Sequence, residues 1–149
     1  MAQPARPGGG FDMTRVSTGS KILLVAGVLL FIDLFLPWQR VDFGPFGGGV
    51  NISGFSGLGI LVAILLIGLL VWEGLLIAGV SINMGTTSPA LISAVLGGAV
   101  ALFTIILFLT RLTAVSFGAF IGLILALVIA YGAYVRYNES RVTTPPPAV

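Results

Sequence analysis

Three long stretches without a charged residue constrain this chain more than any other feature of its sequence. They run from Phe43 to Trp72, from Gly74 to Thr110 and from Leu112 to Val135. A bilayer core about 30 Å thick needs about 20 apolar residues per helix, and each stretch supplies that length. A fourth apolar run, from Ile22 to Trp38, contains one acid, Asp33. The pattern predicts an all-α integral membrane protein, a four-helix bundle.

Composition agrees with this class and excludes several functions. Charged residues make up 8% of the chain, against about 25% in soluble domains. The chain has no His and no Cys, which excludes disulfides, thiol chemistry and Cys/His metal sites. A net charge of +2 is too small to indicate nucleic-acid binding. We therefore expect no cofactor, no metal and no nucleic-acid partner.

Asp33 does not prevent the first run from inserting. On the insertion scale, an acid at the helix centre costs about 2.5 to 3.5 kcal/mol, and each Ile, Leu, Val or Phe contributes about 0.3 to 0.6 kcal/mol. Twelve such residues lie between Ile22 and Leu36, so the apolar sum is larger. A cleaved signal peptide is the alternative, but no small-x-small cleavage motif follows, and Pro37 to Arg40 resembles an interfacial stop.

The other three spans are predicted from their apolar runs and from one proline. Span two runs from about Gly57 to Val80, span three from about Ala90 to Thr110, and span four from about Val115 to Val135. Pro89 fits the first turn of span three, because a missing backbone N–H costs nothing there.

The positions of Lys and Arg predict the orientation. An even number of spans places both termini on one side, which then holds five basic residues against two on the other: Arg6, Arg15, Lys21, Arg136 and Arg141 against Arg40 and Arg111. Because positive charge is retained in the cytoplasm, we expect both termini there, with residues 1–20 and 138–149 as flexible tails of a membrane domain, residues 21–137. Trp38 would mark the outer end of span one, and Tyr131, Tyr134 and Tyr137 the inner end of span four.

The longest segment outside the spans is the outer loop from Gln39 to Ser56. It contains a run of glycines between two short alternating segments, Val41–Phe43 and Val50–Ile52. Alternation on both sides of a glycine turn is a hairpin signal, although an isolated hairpin is only marginally stable. Two structures stay open: a flexible Gly-rich loop, or a hairpin resting on the bundle through Phe43, Phe46 and Phe55.

Small residues recur at every fourth position of span four, at Ala114, Gly118, Gly122, Ala126 and Ala130. Helices in membranes associate through close backbone packing, and a groove of small residues allows it. Span three carries two matching stripes, Ala90-Ala94-Gly98 and Ser93-Gly97-Ala101. The packing partner of the groove is either span three or span four of a second copy.

Asp33 is the first candidate for a proton or cation site. Ionisable residues within spans are costly and face protein or water. A proline removes the hydrogen bond to the carbonyl four residues earlier, so Pro37 is expected to free the Asp33 carbonyl beside its carboxylate. The alternative is a structural role near the interface, where Asp33 would meet water or Arg40.

Glu73 is the second candidate. Sixteen residues from the start of span two place it about 24 Å inward at about 1.5 Å per residue, near the inner interface. There Trp72 would act as an interface anchor, and Glu73 would pair with Lys21, Arg136 or a tyrosine hydroxyl.

A proton relay between Glu73 and Asp33 is the alternative role. The two acids lie at different predicted depths, so a relay needs water or Thr104 between them. An intramembrane aspartyl protease would need two facing aspartates, and only Asp33 lies within a span. With no histidine base and no nucleophile motif, the sequence predicts no enzyme.

The segment Leu34-Phe35-Leu36-Pro37-Trp38 closes span one and is followed by a Gly-rich outer loop and a glycine-studded second span. This layout resembles uncharacterised small four-span membrane proteins of bacteria, in which an LFLPW-type motif ends the first helix. The resemblance implies an architecture and no activity.

The leading interpretation is a non-enzymatic component of the cell membrane, a structural or accessory subunit. It would pack in the lipid bilayer through small-residue helix faces, as a homo-oligomer or with a partner membrane protein. The alternative is a small channel or transporter that uses Asp33, with Glu73 as a second group. A conduit needs polar residues along one interior line, and small residues outnumber polar ones in the spans, which favours the accessory subunit.

Overall fold

The computed structural model describes residues 16–80, 82 and 85–142. In chain order their elements are α1 (Thr18–Asp33), β1 (Pro37–Asp42), β2 (Gly49–Ser53), α2 (Leu58–Ile77), α3 (Pro89–Leu109) and α4 (Phe117–Val142). Short 3-10 turns lie at Gly44–Phe46 and Leu112–Ala114. The described chain is mostly helical, as predicted. Most of both expected tails, residues 1–15 and 143–149, lies outside the described residues.

Three helices have the length and composition to cross a membrane: α2, α3 and the stretch Phe117–Arg141 of α4. Their mean hydropathies are 2.8, 2.5 and 2.2. The chain is therefore a membrane protein by these criteria. Helix α1 has 16 residues, which is shorter than the roughly 20 that a bilayer core needs. Pro89 begins α3, as predicted.

Helix α1 begins earlier than the sequence predicted. The Ser17 side-chain oxygen accepts a hydrogen bond from the backbone N–H of Ser20 at 3.1 Å, and serine is among the best residues at this capping position. The helix therefore starts at Thr18, and the expectation that residues 18–20 belong to a flexible tail is wrong.

Helix α4 continues past the predicted end of span four. Its last residue is Val142, so the expectation of an irregular tail is wrong for residues 138–142. The Glu139 carboxylate holds this last part in place, because it accepts hydrogen bonds from the Arg136 guanidinium at 3.0 Å and from the Gly19 backbone N–H at 3.2 Å.

The outer loop forms a hairpin, and the flexible-loop alternative is wrong. Strands β1 and β2 pair antiparallel, with Val41 opposite Val50. Gly47 and Gly48, at the turn, have φ values of 75° and 107°, which glycine adopts without a steric penalty. The predicted alternating segments are therefore the paired strands, although β1 also takes in Pro37, which the sequence placed at the end of span one.

One of the three phenylalanines expected to rest on the bundle does so. Phe55 packs against the core, and its ring centroid lies 4.6 Å from that of Phe35. Phe43 and Phe46 are 63% and 98% exposed, so the prediction is wrong for both. They lie in the turn, beyond the last paired residues of the strands, where the helices do not cover them.

The four helices form a bundle in which α4 packs on α3 and α1, and α2 packs on the same two helices. Its core is aliphatic and buried, and includes Leu23, Leu30, Val62, Leu66, Leu69, Val100, Leu107 and Ile129. Large apolar side chains are also exposed on all four helices, among them Val25, Ile64, Leu102 and Ile124. An outer surface of this kind suits lipid rather than water.

The glycines of α4 pack against the end of α1 and the start of β1. A side-chain carbon added at Gly122 would overlap the Trp38 ring and would lie 2.8 Å from Oδ2 of Asp33. At Gly118 it would lie 2.6 Å from the Pro37 carbonyl oxygen. The partner at these two positions is thus neither span three nor a second copy, and both predicted alternatives are wrong there.

The other predicted packing residues divide between core and turn. Ala126 is buried, and Ala130 packs against the core. Ala114 lies in the 3-10 turn before α4, so its place in a helical groove is wrong. The α3 stripe Ser93-Gly97-Ala101 is buried, and a carbon added at Gly97 would lie 3.1 Å from the Ala133 side chain on α4.

Replacing Gly122 with leucine should destabilise the bundle, because the added side chain must displace the buried Trp38 ring. Overpacking typically costs about 1 to 3 kcal/mol, and we expect the upper end of that range. Gly68→Leu is the matched control, because a carbon added at Gly68 meets no atom within 4 Å. Thermal unfolding in detergent measures both, and equal stability of the two variants would contradict this packing.

Candidate functional site

The candidate acids lie at opposite ends of the described bundle. The hairpin end is made by β1, β2 and Arg111, and Asp33 lies there at the end of α1. The tail end is made by the start of α1 and the end of α4, and Glu73 of α2 hydrogen-bonds to α1 there. Their separation along the bundle agrees with the prediction that the two acids lie at different depths.

The Asp33 carboxyl is buried without a partner. The residue is 2% exposed, and neither Oδ1 nor Oδ2 has a hydrogen-bond partner. Its Oδ2 faces Gly122, which has no side chain to offer. An isolated charged carboxylate is very costly to bury, so this environment favours a carboxyl that binds a proton.

The Asp33 carbonyl is not free, which corrects a prediction. It accepts hydrogen bonds from the Leu36 backbone N–H at 2.9 Å and from the Trp38 indole N–H at 3.1 Å. Helix α1 ends at Asp33, so Pro37 belongs to β1 and does not interrupt a helix. Trp38, expected to mark the outer end of span one, follows the end of α1, but its ring is fully buried in the bundle.

Arg40 does not reach back to Asp33, so the predicted interfacial pair is wrong. Its guanidinium instead bonds the Asp42 carboxylate at 3.1 Å, and both side chains are about two-thirds exposed, at 65% and 68%. Strand β1 carries Arg40 away from the helix that ends at Asp33. The neighbourhood of Asp33 thus supplies no compensating cation within 4.0 Å among the described residues.

A proton suits this site better than a metal cation. Hard cations such as Ca²⁺ take six to eight oxygen ligands, whereas Asp33 offers one carboxyl beside a carbonyl that already accepts two hydrogen bonds. Among the described residues, no group of three or more acidic side chains could hold a metal ion.

Glu73 is fully buried and lies beside Arg136, one of the pairing partners that the sequence predicted for it. The Ser20 hydroxyl donates to its Oε2 at 2.6 Å, and the Arg136 Nε lies 3.9 Å from its Oε1. Trp72 does not stand apart as an anchor, because its indole N–H donates to the Ser93 hydroxyl at 3.1 Å.

These contacts belong to a network that joins all four helices at the tail end. The Arg136 guanidinium donates to Ser17 at 3.1 Å, to Glu139 at 3.0 Å and to Ser93 at 3.3 Å. We call this network the polar clasp; its members are Ser17, Ser20, Glu73, Ser93, Arg136 and Glu139. Hydrogen bonds of this kind are strong in a low-dielectric interior, and their loss is costly. The clasp therefore holds the helix ends together.

Thr104 does not link the two acids. It is fully buried, but its hydroxyl donates to the Val100 carbonyl of its own helix at 2.7 Å. The core between the two ends is filled by aliphatic side chains such as Leu30 and Leu66, both fully buried. Along this line the described core offers a proton relay only the Thr104 hydroxyl, which is already bonded to its own helix.

Arg111 is a structural residue that the sequence interpretation used only as a counted charge. It is 7% exposed and follows α3. Its guanidinium donates to the carbonyl oxygens of Ser53 at 3.3 Å and Ser56 at 2.7 Å, and to the Ser56 hydroxyl at 2.6 Å. Burial lowers the pKa of the Arg111 guanidinium from its ordinary value. In the sequence, the only indication of this structural role was that Arg111 is a lone basic residue in the short break between spans three and four.

Comparisons of the chain with protein-family models, with curated proteins and with solved structures found no match. The similarity of the LFLPW segment to small four-span bacterial membrane proteins therefore stays a prediction.

A double-mutant cycle on Glu73→Gln and Arg136→Gln should report a coupling energy in the upper part of the range of about 0.5 to 3 kcal/mol found for residues in one network, because both side chains are buried. Arg40→Gln with Asp42→Asn is the matched control, because that pair is exposed, and exposed pairs contribute about 0.2 to 1 kcal/mol. Thermal unfolding in detergent gives both cycles. A coupling at Glu73 and Arg136 no larger than the control would mean that the polar clasp does not stabilise the bundle.

Proposed function

We propose that the chain is a multi-pass protein of the cell membrane with four spans, α1 included. Helix α1 and the Leu34–Leu36 segment after it extend the first apolar run beyond the 16 residues of the helix itself. Exposed apolar side chains along this run support contact with lipid: Val25, Val28, Leu29, Ile32 and Phe35. Its polar contacts with the other helices lie at the tail end, through Ser17, Gly19 and Ser20.

We place the tail end of the bundle in the cytoplasm. Among the described residues it carries Lys21, Arg136 and Arg141, and the hairpin end carries Arg40 and Arg111. Retention of positive charge in the cytoplasm supports this orientation. The hairpin then lies outside the cell, which is also the layout of the bacterial proteins that the LFLPW segment resembles.

Cysteines introduced at Gly48 and at Thr86 test the four-span arrangement. The first lies in the hairpin turn and the second between α2 and α3. A membrane-impermeant maleimide should label Gly48→Cys in intact cells and Thr86→Cys only after the membrane is opened, since the two positions lie on opposite sides. Labelling of both from the same side would contradict the proposal.

The proposed function is that of a non-enzymatic structural or accessory subunit. The observation that carries it is the aliphatic core between the two polar ends: Leu30, Leu66 and Val100 are fully buried there. A pathway for ions or solutes needs polar groups or water along its length, and a fixed bundle does not. The protein would act through its outer surfaces on a partner membrane protein.

The hairpin is the element best suited to such contacts. It stands on a fixed base, because Trp38 is buried in the bundle and Arg111 holds the chain after β2. Its turn exposes two aromatic side chains, Phe43 and Phe46. Exposed aromatic groups on a rigid support are typical of contact sites between proteins.

A small proton channel or transporter is the second candidate function, and Asp33 favours it. The carboxyl is buried, lacks a hydrogen-bond partner and lies at the hairpin end, where a proton from outside would enter. This function requires a second conformation in which the core beyond Asp33 opens, because aliphatic side chains fill that core in the structure.

Reconstituted vesicles with a trapped pH-sensitive dye distinguish the two functions. The accessory function predicts no proton flux above that of protein-free vesicles, and no change with Asp33→Asn, which is nearly isosteric. A flux that Asp33→Asn abolishes, while Asp42→Asn at the exposed pair leaves it intact, would overturn the accessory function and support the channel. Thermal unfolding of each variant checks that the bundle is folded.

A further inference from the structure

An open groove runs along the outside of α3 and α4 near the tail end. Its volume is about 360 Å³, and it is lined by Leu91, Ala94, Val95, Ala133, Tyr134 and Tyr137. Apart from two phenol groups, the lining carries no polar side chain. Ligand pockets range from about 300 to 1,000 Å³, so the groove has room for part of an apolar chain.

The groove exists because small residues face each other across the two helices, and it opens outward. Ala94 and Ala133 line the groove, and neither has a side chain beyond Cβ that could fill the space. Val95 and Tyr134 on its rims are 63% and 62% exposed. In the proposed arrangement these rims face lipid, and tyrosines are enriched at the level of lipid headgroups.

A cation stands at the end of this groove. The Arg141 guanidinium lies over the Tyr137 ring, 5.9 Å from its centroid, and Tyr137 lines the groove. Cation–π contact of this kind orients an arginine without neutralising it. Arg136, the other arginine of α4, is instead occupied within the polar clasp.

We propose that the groove and Arg141 form a binding site for an anionic phospholipid. One acyl chain lies between α3 and α4, and the phosphate binds the Arg141 guanidinium beside the Tyr137 ring. The site rests on the proposed placement of the tail end at a headgroup layer, where basic pockets between helices bind anionic headgroups. The partial negative charge at the end of α4 opposes an anion, and the full charge of Arg141 outweighs it.

Charge complementarity favours an anionic lipid over a second copy of the chain as the occupant. A second copy would have to place an acid against Arg141, and among the described helices Asp33 and Glu73 are buried and Glu139 bonds Arg136 within the polar clasp. Asp42 is paired with Arg40 at the hairpin end, and Asp12 lies outside the described residues.

Native mass spectrometry of the full chain in detergent tests the site, with phosphatidylglycerol and phosphatidylcholine of identical acyl chains as probes. One basic group near an anionic headgroup contributes about 1 kcal/mol, so we expect phosphatidylglycerol to bind about five-fold tighter. Arg141→Gln should make the two affinities equal. Arg40→Gln, an exposed arginine at the hairpin end, should leave the five-fold ratio unchanged.

A second variant tests the groove itself. Ala94→Leu fills the space and should weaken both lipids while the preference for phosphatidylglycerol persists, and its thermal unfolding shows whether the bundle is intact. Equal binding of the two lipids by the unaltered protein overturns the site, as does a ratio that Arg141→Gln leaves unchanged. A doubled protein mass that Ala94→Leu abolishes would assign the groove to a second copy. If cysteine labelling supports four spans and lipid preference is absent, this site fails while the proposed topology stands.

Discussion

The packing of the Trp38 ring against Gly118 and Gly122 of α4 is the contact on which the hairpin end depends. The ring is fully buried and occupies the space that a side chain at Gly122 would need. Its indole N–H caps the end of α1 at the Asp33 carbonyl, and its own carbonyl accepts the Ser116 N–H at 2.9 Å. One residue thereby links the last turn of α1, the first strand and the start of α4. The hairpin is thus a continuation of the bundle rather than an appended loop.

The polar clasp does the corresponding work at the tail end by a different kind of interaction. Two serine hydroxyls and two carboxylates surround one guanidinium, and a third serine hydroxyl donates to one of these carboxylates. Most buried polar groups of the clasp therefore have partners. The unsatisfied atoms are Glu73 Oε1 and Arg136 Nε, which lie 3.9 Å apart and retain Coulomb attraction without a hydrogen bond. Apolar packing alone does not select one arrangement of helices in lipid, because lipid tails are equally apolar. The Trp38 contact at one end and the polar clasp at the other select a single arrangement.

Features that depend on local pattern were predictable from the sequence. Apolar length located α2 and α3, and a proline located the start of α3. Alternation across glycines located the two segments of the possible hairpin, and the structure supplies their register, with Val41 opposite Val50. The failures concern residues whose surroundings come from elsewhere in the chain. Trp38 follows a span, which is typical of an interface anchor, and only the glycines of α4 make a buried seat for it. Periodicity identified Gly118 and Gly122 as packing residues, but it carries no information about which partner fills the groove.

The two buried acids show how environment rather than residue type determines what a carboxyl can do. Glu73 accepts a hydrogen bond from the Ser20 hydroxyl, with 2.6 Å between the oxygens, and its other carboxyl oxygen lies 3.9 Å from Nε of Arg136, so it joins helices as a structural group. Neither carboxyl oxygen of Asp33 has a hydrogen-bond partner, and Arg40 on the hairpin is bound to Asp42. A buried carboxyl without a hydrogen-bond partner does not stabilise the fold, because an apolar side chain of similar volume would pack there at lower cost in free energy. The proposed channel function therefore depends on Asp33, which lies directly beside the contact between Trp38 and Gly122 that fixes the base of the hairpin.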